Sequence, residues 1–430
     1  MVKDIQPGST GGSQTESSAV LTVFNNKLYF PANDGTNGLE LWSSDGTSGG
    51  TSMVNDIQPG SAGSSLSALA VFNNKLYFTA IDGTNSLELW SSDGTSGGTS
   101  MVKDIQPGGA GSSPTALTVL NNKLYFSADD GTNGRELWSS DGTSVGTSMV
   151  KDIQPGSSAG SSPAVFTAYN NKLYFRADDG TNGRELWSSD GTSGGTSMVN
   201  DIQPGSTGSS PTALTVLNNK LYFSADDGTN GQELWSSDGT SGGTSMVKDI
   251  QPGSTGSSPT ALTVLNNKLY FRSFDTTNGQ ELWSSDGTSG GTSIVKDIQP
   301  GSASSSPTAL TVYNNKLYFR ADDGTNGAEL WSSDGTSGGT SMVKDIQPGS
   351  AGSSPTVFTV YNNKLYFRAD DGTNGAELWS SDGTSGGTSM VQDIQPGSAD
   401  SGPTALTVYN NKLYFTANDG INGAELWACN

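Results

Sequence analysis

One pattern of apolar and polar positions runs through the chain nine times. Each copy contains short runs of alternating or continuous apolar residues between turns rich in glycine, asparagine and aspartate, and each copy has one tryptophan. Seven of the eight intervals between consecutive tryptophans are 48 residues long, and the remaining one is 49. A repeat of this length with several strand-like runs per copy predicts a propeller or a related array. The tryptophans are Trp42, Trp90, Trp138, Trp187, Trp235, Trp283, Trp331, Trp379 and Trp427.

The copy at residues 307–352 shows how each repeat is expected to fold. Apolar and small polar residues alternate in its first run, as they do in a strand with one buried face. The pair Asn314-Asn315 then predicts a two-residue hairpin turn, because asparagine tolerates positive φ. Two further turns separate the remaining runs, and no window has helical periodicity. The four predicted strands are Thr308–Val312, Lys316–Arg320, Ala328–Ser332 and Ser341–Ile346.

The second strand and the chain ends indicate how the repeats are arranged. Leu317, Tyr318 and Phe319 are consecutive apolar residues, so both faces of the strand should be covered, as between neighbouring propeller blades. The chain starts with a fourth strand, Met1–Ile5, and finishes just after a third, Ala424–Trp427. Pairing of these segments would complete the last blade and hide its edge. We therefore predict an all-β fold in which residues 1–430 form one domain, a single nine-bladed β-propeller of four-stranded antiparallel blades.

Composition excludes several classes of function. The net charge is −21 and the isoelectric point is about 4.2, which disfavours nucleic acid and anionic membranes as partners. The chain has no histidine, the usual general base at neutral pH, and its one cysteine, Cys429, builds no zinc site or disulfide framework. No apolar run is long enough to insert into a membrane, and no signal peptide precedes the first repeat. We expect a monomeric ring.

The turn between the second and third strands is the main candidate for binding. It contains an aspartate followed three residues later by an asparagine, and these turns should share one face of the propeller with the Gln-Pro-Gly-Ser connections. Oxygen ligands in this arrangement suit calcium or sugar hydroxyls. The candidate residues are Asp34 and Asn37, Asp82 and Asn85, Asp130 and Asn133, Asp179 and Asn182, Asp227 and Asn230, Asp323 and Asn326, Asp371 and Asn374, and Asp419 and Asn422.

Ordinary turn chemistry competes with this hypothesis. Aspartate, glycine and asparagine are common in tight turns, and the spacing does not fit a calcium-binding loop, since Gly324 stands where a third ligand belongs. We therefore predict no cofactor and leave calcium open. The Asp-Gly-Thr turn that begins at Asp334 has the composition of a standard reversal. Trp331 could stack on a sugar, but burial between blades is favoured. Glu329 could act in acid–base catalysis, yet nothing distinguishes it from its eight equivalents, so we predict no enzyme activity.

The segment Glu-Leu-Trp-Ser-Ser-Asp-Gly-Thr at Glu136–Thr143, followed by Val-Lys-Asp-Ile-Gln-Pro-Gly at Val150–Gly156, resembles the ELWxxDGT repeat of bacterial secreted and surface proteins. The resemblance covers essentially the whole chain. It implies a β-propeller in an extracellular or cell-surface bacterial protein, and it implies little about activity. Three positions depart from the pattern: Ser86 replaces a turn glycine, Phe274-Asp275-Thr276 replaces an Asp-Asp-Gly turn, and Ala428-Cys429-Asn430 ends the last motif.

Two functions agree with this sequence. The first is a non-enzymatic, multivalent binding or adhesion module for a polysaccharide or a cell-surface glycan, with equivalent sites repeated around the ring. The second is a passive scaffold, natural or engineered, with no ligand of its own. Either form could be stabilised by calcium.

Overall fold

A computed structural model of the protein describes residues 1–8 and 20–430, and these residues form 35 strands and no helix. No helix among them could therefore cross a membrane. In chain order the strands are β1 Thr22–Phe24, β2 Lys27–Asn33, β3 Leu39–Ser44, β4 Ser52–Asn55, β5 Ser67–Phe72, β6 Lys75–Ala80, β7 Glu88–Ser92, β8 Ser100–Lys103, β9 Thr115–Leu120, β10 Lys123–Asp129, β11 Arg135–Ser140, β12 Ser148–Lys151, β13 Ala164–Tyr169, β14 Lys172–Asp178, β15 Arg184–Ser189, β16 Ser197–Asn200, β17 Thr212–Leu217, β18 Lys220–Asp226, β19 Gln232–Ser237, β20 Ser245–Lys248, β21 Thr260–Leu265, β22 Lys268–Asp275, β23 Gly279–Ser285, β24 Ser293–Lys296, β25 Thr308–Tyr313, β26 Lys316–Asp322, β27 Ala328–Ser333, β28 Ser341–Lys344, β29 Thr356–Tyr361, β30 Lys364–Asp370, β31 Ala376–Ser381, β32 Ser389–Gln392, β33 Thr404–Tyr409, β34 Lys412–Asn418 and β35 Ala424–Cys429.

These strands pair in chain order into nine antiparallel sheets, which we call blades 1 to 9. Blades 1 to 8 take four strands each, from β1–β4 to β29–β32, and blade 9 contains β33, β34 and β35. The predicted fold class, a nine-bladed β-propeller, is confirmed. The predicted strands of the copy at residues 307–352 are confirmed with small changes at their ends, since the second runs on to Asp322 and the fourth ends at Lys344.

The paired asparagines turn the chain between the first and second strands of each blade. In blade 7, Asn314 and Asn315 have φ of 45° and 58°. Positive φ at both central residues is the requirement of the type I′ turn, whose twist matches that of the flanking strands. Tyr313 consequently lies opposite Lys316 in the ladder between β25 and β26. The predicted hairpin is confirmed.

A bulge near the start of each long first strand sets which side chains lie together. In β25 the register shifts between Thr308 and Thr311, and Ala309 within the bulge has φ of 56°. Bulges re-aim side chains and break regular pairing. Here the shift leaves Thr308 opposite Arg320 of β26, close to the connection that enters the blade.

Apolar side chains from consecutive blades form the core. Leu282, Val295 and Ile298 of blade 6 pack with Phe319 and Trp331 of blade 7 in one buried cluster. The boundaries between blades 4 and 5 and between blades 5 and 6 have equivalent clusters. Leu317, Tyr318 and Phe319 are 0%, 3% and 0% exposed, which explains why this strand lacks the alternation of a half-wet sheet.

The N-terminal segment adds to blade 9. The backbone N–H of Val2 donates to the carbonyl oxygen of Leu426 at 2.7 Å, and Lys3 forms an antiparallel bridge with Leu426. This is the predicted pairing of the two chain ends, made through one bridge rather than a full fourth strand. Blade 9 also contacts blade 1, where the Tyr409 hydroxyl donates to the carbonyl oxygen of Asn26.

Contacts between backbone positions divide the chain into two compact units. The first contains Met1–Ser162, Asn374–Leu378 and Met390–Asn430. The second contains Pro163–Thr373 and Trp379–Ser389. Each unit has its own interblade clusters, with the cluster around Ile5 and Trp42 in the first and the cluster around Ile298 and Trp331 in the second.

Candidate functional site

The predicted binding turn of blade 7 is held by its own aspartate. One carboxylate oxygen of Asp323 accepts the backbone N–H groups of Thr325 at 2.9 Å and Asn326 at 2.8 Å. The other oxygen accepts the side-chain amide of Asn326 at 2.8 Å. The preceding Asp322 accepts the N–H of Gly324 at 2.7 Å. These bonds explain the Asp-Asp-Gly-Thr-Asn sequence as turn chemistry, because the short carboxylates replace backbone acceptors that a reversal lacks.

The same geometry recurs in every predicted pair. In each, the aspartate accepts the backbone N–H two residues later at 2.9 Å. Each of these aspartates is therefore hydrogen-bonded within the turn that contains it. They are Asp34, Asp82, Asp130, Asp179, Asp227, Asp323, Asp371 and Asp419. The altered turn of blade 6 keeps the arrangement, since Asp275 accepts the N–H groups of Thr277 and Asn278 at 2.8 Å. Ligand binding by these residues stays a prediction.

The oxygen-rich side chains of these turns would suit a calcium ion. Within residues 1–8 and 20–430, no group of three or more histidine, cysteine, aspartate or glutamate side chains is placed to hold a metal ion. The carboxylates that point into the turns are already engaged by backbone and amide donors. Calcium stays a prediction, to be tested with a chelator below.

The Asp-Gly-Thr turn at the other end of the third strand is also built by its aspartate. Asp334 accepts the hydroxyl of Thr336 at 2.7 Å and its backbone N–H at 2.9 Å. These bonds hold the pKa of Asp334 below its usual value. For Asp323, burial acts to raise the pKa, but the hydrogen bonds from Asn326 and Thr325 outweigh it and the pKa is lowered. Both turns therefore favour the ionised carboxylate in the folded protein.

Acid should consequently weaken the fold through the aspartates. A carboxyl with a lowered pKa contributes stability above its unfolded pKa of about 3.9, and this contribution is lost as pH falls through the folded pKa. The buried glutamates described next have raised pKa values, so their contribution is fully present below about 4.3 and does not change in more acidic solution. We expect the urea midpoint of unfolding, followed by tryptophan fluorescence, to fall steadily as pH is lowered below about 4.

The matched control replaces all eight Asp-Gly-Thr aspartates by asparagine, which keeps an acceptor oxygen without titrating. Its urea midpoint should depend less steeply on pH in the same range. A wild-type midpoint that rises on acidification would contradict the prediction. The eight positions are Asp45, Asp93, Asp141, Asp190, Asp238, Asp286, Asp334 and Asp382.

The glutamate of each Glu-Leu-Trp motif fixes the connection to the next blade. Glu329 is 0% exposed and accepts four hydrogen bonds: from the N–H of Ile346 at 3.0 Å, the N–H of Gln347 at 3.2 Å, the N–H of Ser353 at 2.8 Å and the Ser353 hydroxyl. Burial raises the pKa of Glu329, and the hydrogen bonds oppose that rise. The side chain has no exposed surface from which to act on a substrate. All nine equivalents are equally buried.

Burial also decides between the two hypotheses for the tryptophans. Trp331 is 6% exposed and packs against Leu282, Val295 and Ile298 of the preceding blade. Eight of the nine tryptophans are 8% exposed or less. Packing between blades is confirmed for the six that lie in clusters shared by consecutive blades: Trp42, Trp90, Trp138, Trp235, Trp283 and Trp331. The rings of all eight are too little exposed to stack on a sugar.

A polar groove lies where the connection from blade 6 enters blade 7. It has a volume of about 330 Å³ and lies between the connection, the bulged start of β25 and the end of the β26–β27 hairpin. We call it the connector groove. Its walls offer hydroxyl, guanidinium and carboxylate groups together. The lining residues used below are Ser304, Ser306, Thr308, Arg320, Asp322 and Ala328.

The equivalent position in blade 3 is filled by a side chain of the protein itself. Arg135 stands where blade 7 has Ala328, and its guanidinium donates to the carbonyl oxygens of Ser113 at 2.8 Å and Ser127 at 3.2 Å. It also reaches the Thr115 hydroxyl at 3.5 Å. These acceptors correspond in the repeat to Ser306, Arg320 and Thr308. The groove can therefore satisfy a hydrogen-bond donor that enters it.

Sequence reasoning missed this groove, although a signal was present. Several strand positions vary in charge or size between the nine copies, and two of them contribute residues to this groove. One, at the middle of the second strand, is arginine in four blades: Arg176, Arg272, Arg320 and Arg368. The other, at the start of the third strand, is arginine in blades 3 and 4 and alanine in blades 7 to 9. In blade 7 these positions are Arg320 and Ala328, and both line the connector groove.

A second groove adjoins one of the predicted turns. It has a volume of about 280 Å³ in blade 2 and is lined by Gln58, Thr84, Asn85 and Ser86, among others. The side-chain oxygen of Gln58 is buried there without a hydrogen-bond partner. Asn85 is thus a predicted site residue that does line a groove. Here Ser86 replaces the turn glycine, which makes this turn unlike the others.

No protein-family model and no curated protein matches the chain. Among solved structures it is similar to the computationally designed Ika8 protein, with 21% identity over 85% of this chain and 96% of that chain and a TM-score of 0.46. It is also similar to a prolyl endopeptidase, with 13% identity over 83% of this chain and 54% of that chain and a TM-score of 0.45. Oligopeptidase B from Leishmania major gives 9% identity, coverage of 84% and 54%, and a TM-score of 0.44. At these identities and TM-scores the matches carry no conclusion about activity or ligand.

Proposed function

We propose that the protein is a non-enzymatic, multivalent binding module that takes polysaccharide chains in its connector grooves. The observation that supports this proposal best is the polar groove of blade 7, which sets a guanidinium, a carboxylate and several hydroxyls around about 330 Å³ of open space. Volumes of this order are typical of small-ligand sites. The carboxylates of the predicted turn residues accept hydrogen bonds within their own turns. We therefore place the main contact with the ligand in the groove.

The chemistry of the groove suits sugar hydroxyls. A hydroxyl both donates and accepts, so it can bond simultaneously to Arg320 and to the carboxylate oxygen of Asp322 that the N–H of Gly324 does not use. Ser304, Ser306 and Thr308 add hydroxyls of their own. Arginine also pairs with carboxylates in a bidentate manner, which favours sugars that carry a uronic acid. The whole chain has a net charge of −21 and therefore repels acidic sugars. Attraction between a uronic acid and an arginine acts only at short range, because salt screens charges over longer distances.

Repetition would convert weak sites into firm binding. Arg176, Arg272, Arg320 and Arg368 occupy the same place in blades 4, 6, 7 and 8. In blade 6 the arginine also donates to the facing threonine, from Arg272 to the Thr260 hydroxyl at 3.2 Å. A repeating polymer that engages several grooves at once gains avidity from the reduced cost of each later contact. Polymers of this kind are found on cell surfaces, which agrees with the extracellular location implied by the repeat motif.

The experiment is a glycan array that includes uronic-acid polymers, probed with the wild-type chain in calcium and in EDTA. We expect binding under both conditions, and at least tenfold weaker binding for a variant in which the four groove arginines become serine, the residue found at Ser127 and Ser224. The matched control removes four lysines from the exposed starts of β14, β22, β26 and β30 in the same blades, Lys172, Lys268, Lys316 and Lys364.

Each outcome decides between the hypotheses. Loss of binding in the arginine variant alone supports the connector groove. Equal loss in the lysine control shows a general charge effect and overturns the groove as the site. Binding that vanishes in EDTA returns the site to the acidic turns with calcium. A folded protein that binds nothing on the array overturns the binding function and leaves the scaffold hypothesis.

A further inference from the structure

Blade 4 is the only blade with arginine at both of the repeat positions that line the connector groove in blade 7. Arg176 stands in β14, where blades 3 and 5 have serine, and Arg184 begins β15, where blades 7 to 9 have alanine. In the ladder between these strands, Arg176 lies opposite Leu186 and Arg184 lies opposite Asp178. Residues two positions apart share a face of the sheet, so the two arginines are diagonal neighbours within reach of each other.

The Nε–H group of Arg176 is a buried donor without an acceptor. Within the part of the chain that the structure describes, it is the one buried arginine nitrogen that lacks a hydrogen-bond partner. The cause is local, because Ala164 lies opposite Arg176 in the ladder between β13 and β14. In blade 6 the corresponding pair is Thr260 and Arg272, and the arginine Nε donates to the threonine hydroxyl at 3.2 Å. A buried donor without a partner is unfavourable, so an acceptor that reaches Arg176 gains free energy.

The second arginine of blade 4 also lacks the partners of its equivalent in blade 3. Arg135 is partly buried, and its guanidinium donates to the carbonyl oxygens of Ser113 and Ser127. Arg184 is exposed, and its guanidinium makes no hydrogen bond to another described residue. Burial and the nearby charge of Arg184 both lower the pKa of Arg176. Blade 4 therefore holds two neighbouring cations that repel each other and have donors to offer.

The carboxylate on the same face does not neutralise this pair. Asp178 lies opposite Arg184, but one of its oxygens accepts the N–H of Gly180 at 2.7 Å. Among the described residues it forms no ion pair with either arginine. Two positive charges thus share this face with one negative charge, whereas the groove of blade 7 has Arg320 and Asp322 alone. An anion is the ligand that this excess of positive charge favours.

We infer that Arg176 and Arg184 form an oxyanion site in blade 4 whose ligand is a tetrahedral sulfate or phosphate group. Guanidinium groups bind such oxyanions through paired N–H donors. A tetrahedral group bound through one ester link still offers three acceptor oxygens, whereas a carboxylate offers two, so it can serve both arginines and the buried Nε–H at once. The bound anion also relieves the repulsion between the two cations. The site lies in one blade and does not depend on the proposed carbohydrate binding.

Equilibrium dialysis of the full chain against radiolabelled sulfate tests the site, with the ionic strength fixed by sodium chloride. We expect saturable binding of a single ion per chain, competed by inorganic phosphate, although the chain has nine repeats. The Arg176→Ser and Arg184→Gln variants should each bind sulfate about tenfold or more weakly, because each loses charge-assisted hydrogen bonds to the anion. Both changes introduce a residue that the repeat already uses, at Ser127 and Gln232 respectively, so the fold should be kept.

The matched control is Arg320→Ser, which removes a groove arginine from blade 7 and should leave sulfate binding unchanged. Equal weakening in this control, several ions bound per chain, or no saturable binding by the wild-type chain overturns the site. Glucuronate that competes as well as phosphate overturns the tetrahedral ligand.

Two further competitors distinguish the sources of the group. A sugar sulfate and a sugar phosphate are titrated against the radiolabelled ion. Competition by these esters at lower concentrations than the free ions supports the site as one for a group carried on a larger molecule. Competition by the free ions alone supports it as a site for an inorganic oxyanion.

Discussion

Replacing Glu329 with alanine should lower the free energy of unfolding by roughly 3 kcal/mol or more, because three buried donors and one partly buried donor lose their acceptor at once. Ile346, Gln347 and Ser353 supply those donors, and they hold the connection that leaves blade 7. Water could reach these groups only by opening the connection. Urea unfolding at neutral pH, followed by tryptophan fluorescence, measures the loss.

Two companion variants define the cause. Glu329→Gln keeps the shape and one acceptor oxygen, so its loss of stability should be smaller than that of the alanine variant. Asp334→Asn changes an exposed carboxylate of the same blade while keeping the oxygen that Thr336 uses, and should lie within about 0.5 kcal/mol of the wild-type chain. If Glu329→Ala also falls within that range, the carboxylate does not stabilise the connection.

Gly335→Ala should cost roughly 2 to 4 kcal/mol of unfolding free energy. Gly335 has φ of 92°, a conformation that strains any residue with a Cβ atom. An added Cβ would also lie 2.1 Å from the hydroxyl oxygen of Tyr270, which belongs to the preceding blade. The turn of one blade and the tyrosine of the other would have to separate.

The chain offers a control three residues away. At Gly338 an added Cβ would meet nothing within 4 Å, and φ is not positive, so Gly338→Ala should leave the urea midpoint almost unchanged. Removing the hydroxyl with Tyr270→Phe should recover part of the Gly335→Ala loss in a double-mutant cycle. Additive effects of the two changes would mean that backbone strain alone accounts for the loss.

The blade itself could be predicted from sequence because its signals are local. Alternation, continuous apolar runs and paired asparagines each act over a few residues, and Thr308–Tyr313, Lys316–Asp322 and Ala328–Ser333 lie close to their predicted positions. The Asp-Asn turns were found for the same reason. Their internal hydrogen bonds follow from residue types two and three positions apart, as with Asp323 and Asn326.

The connections could not be predicted in the same way. They read as surface loops, yet Ser353 is buried and bound to Glu329 from 24 residues away. The connector groove likewise needs the bulge of β25, which brings Thr308 opposite Arg320. No local sequence pattern marks the register shift in β25 or the hydrogen bonds from Glu329 to a distant connection. Both features could be found only in the three-dimensional structure.

Near-identity of the repeats has a kinetic consequence. A chain with many interchangeable strands could mispair by one whole repeat at little energetic cost, which is a form of frustration. Hairpins such as β25–β26 avoid this because their partners are a few residues apart, and short loops close at low entropic cost. Proximity, rather than sequence, thus selects the partner within each blade. The bridge between Lys3 and Leu426 spans nearly the entire chain, so it has the highest loop-closure cost and should form last, after the blades on either side are in place.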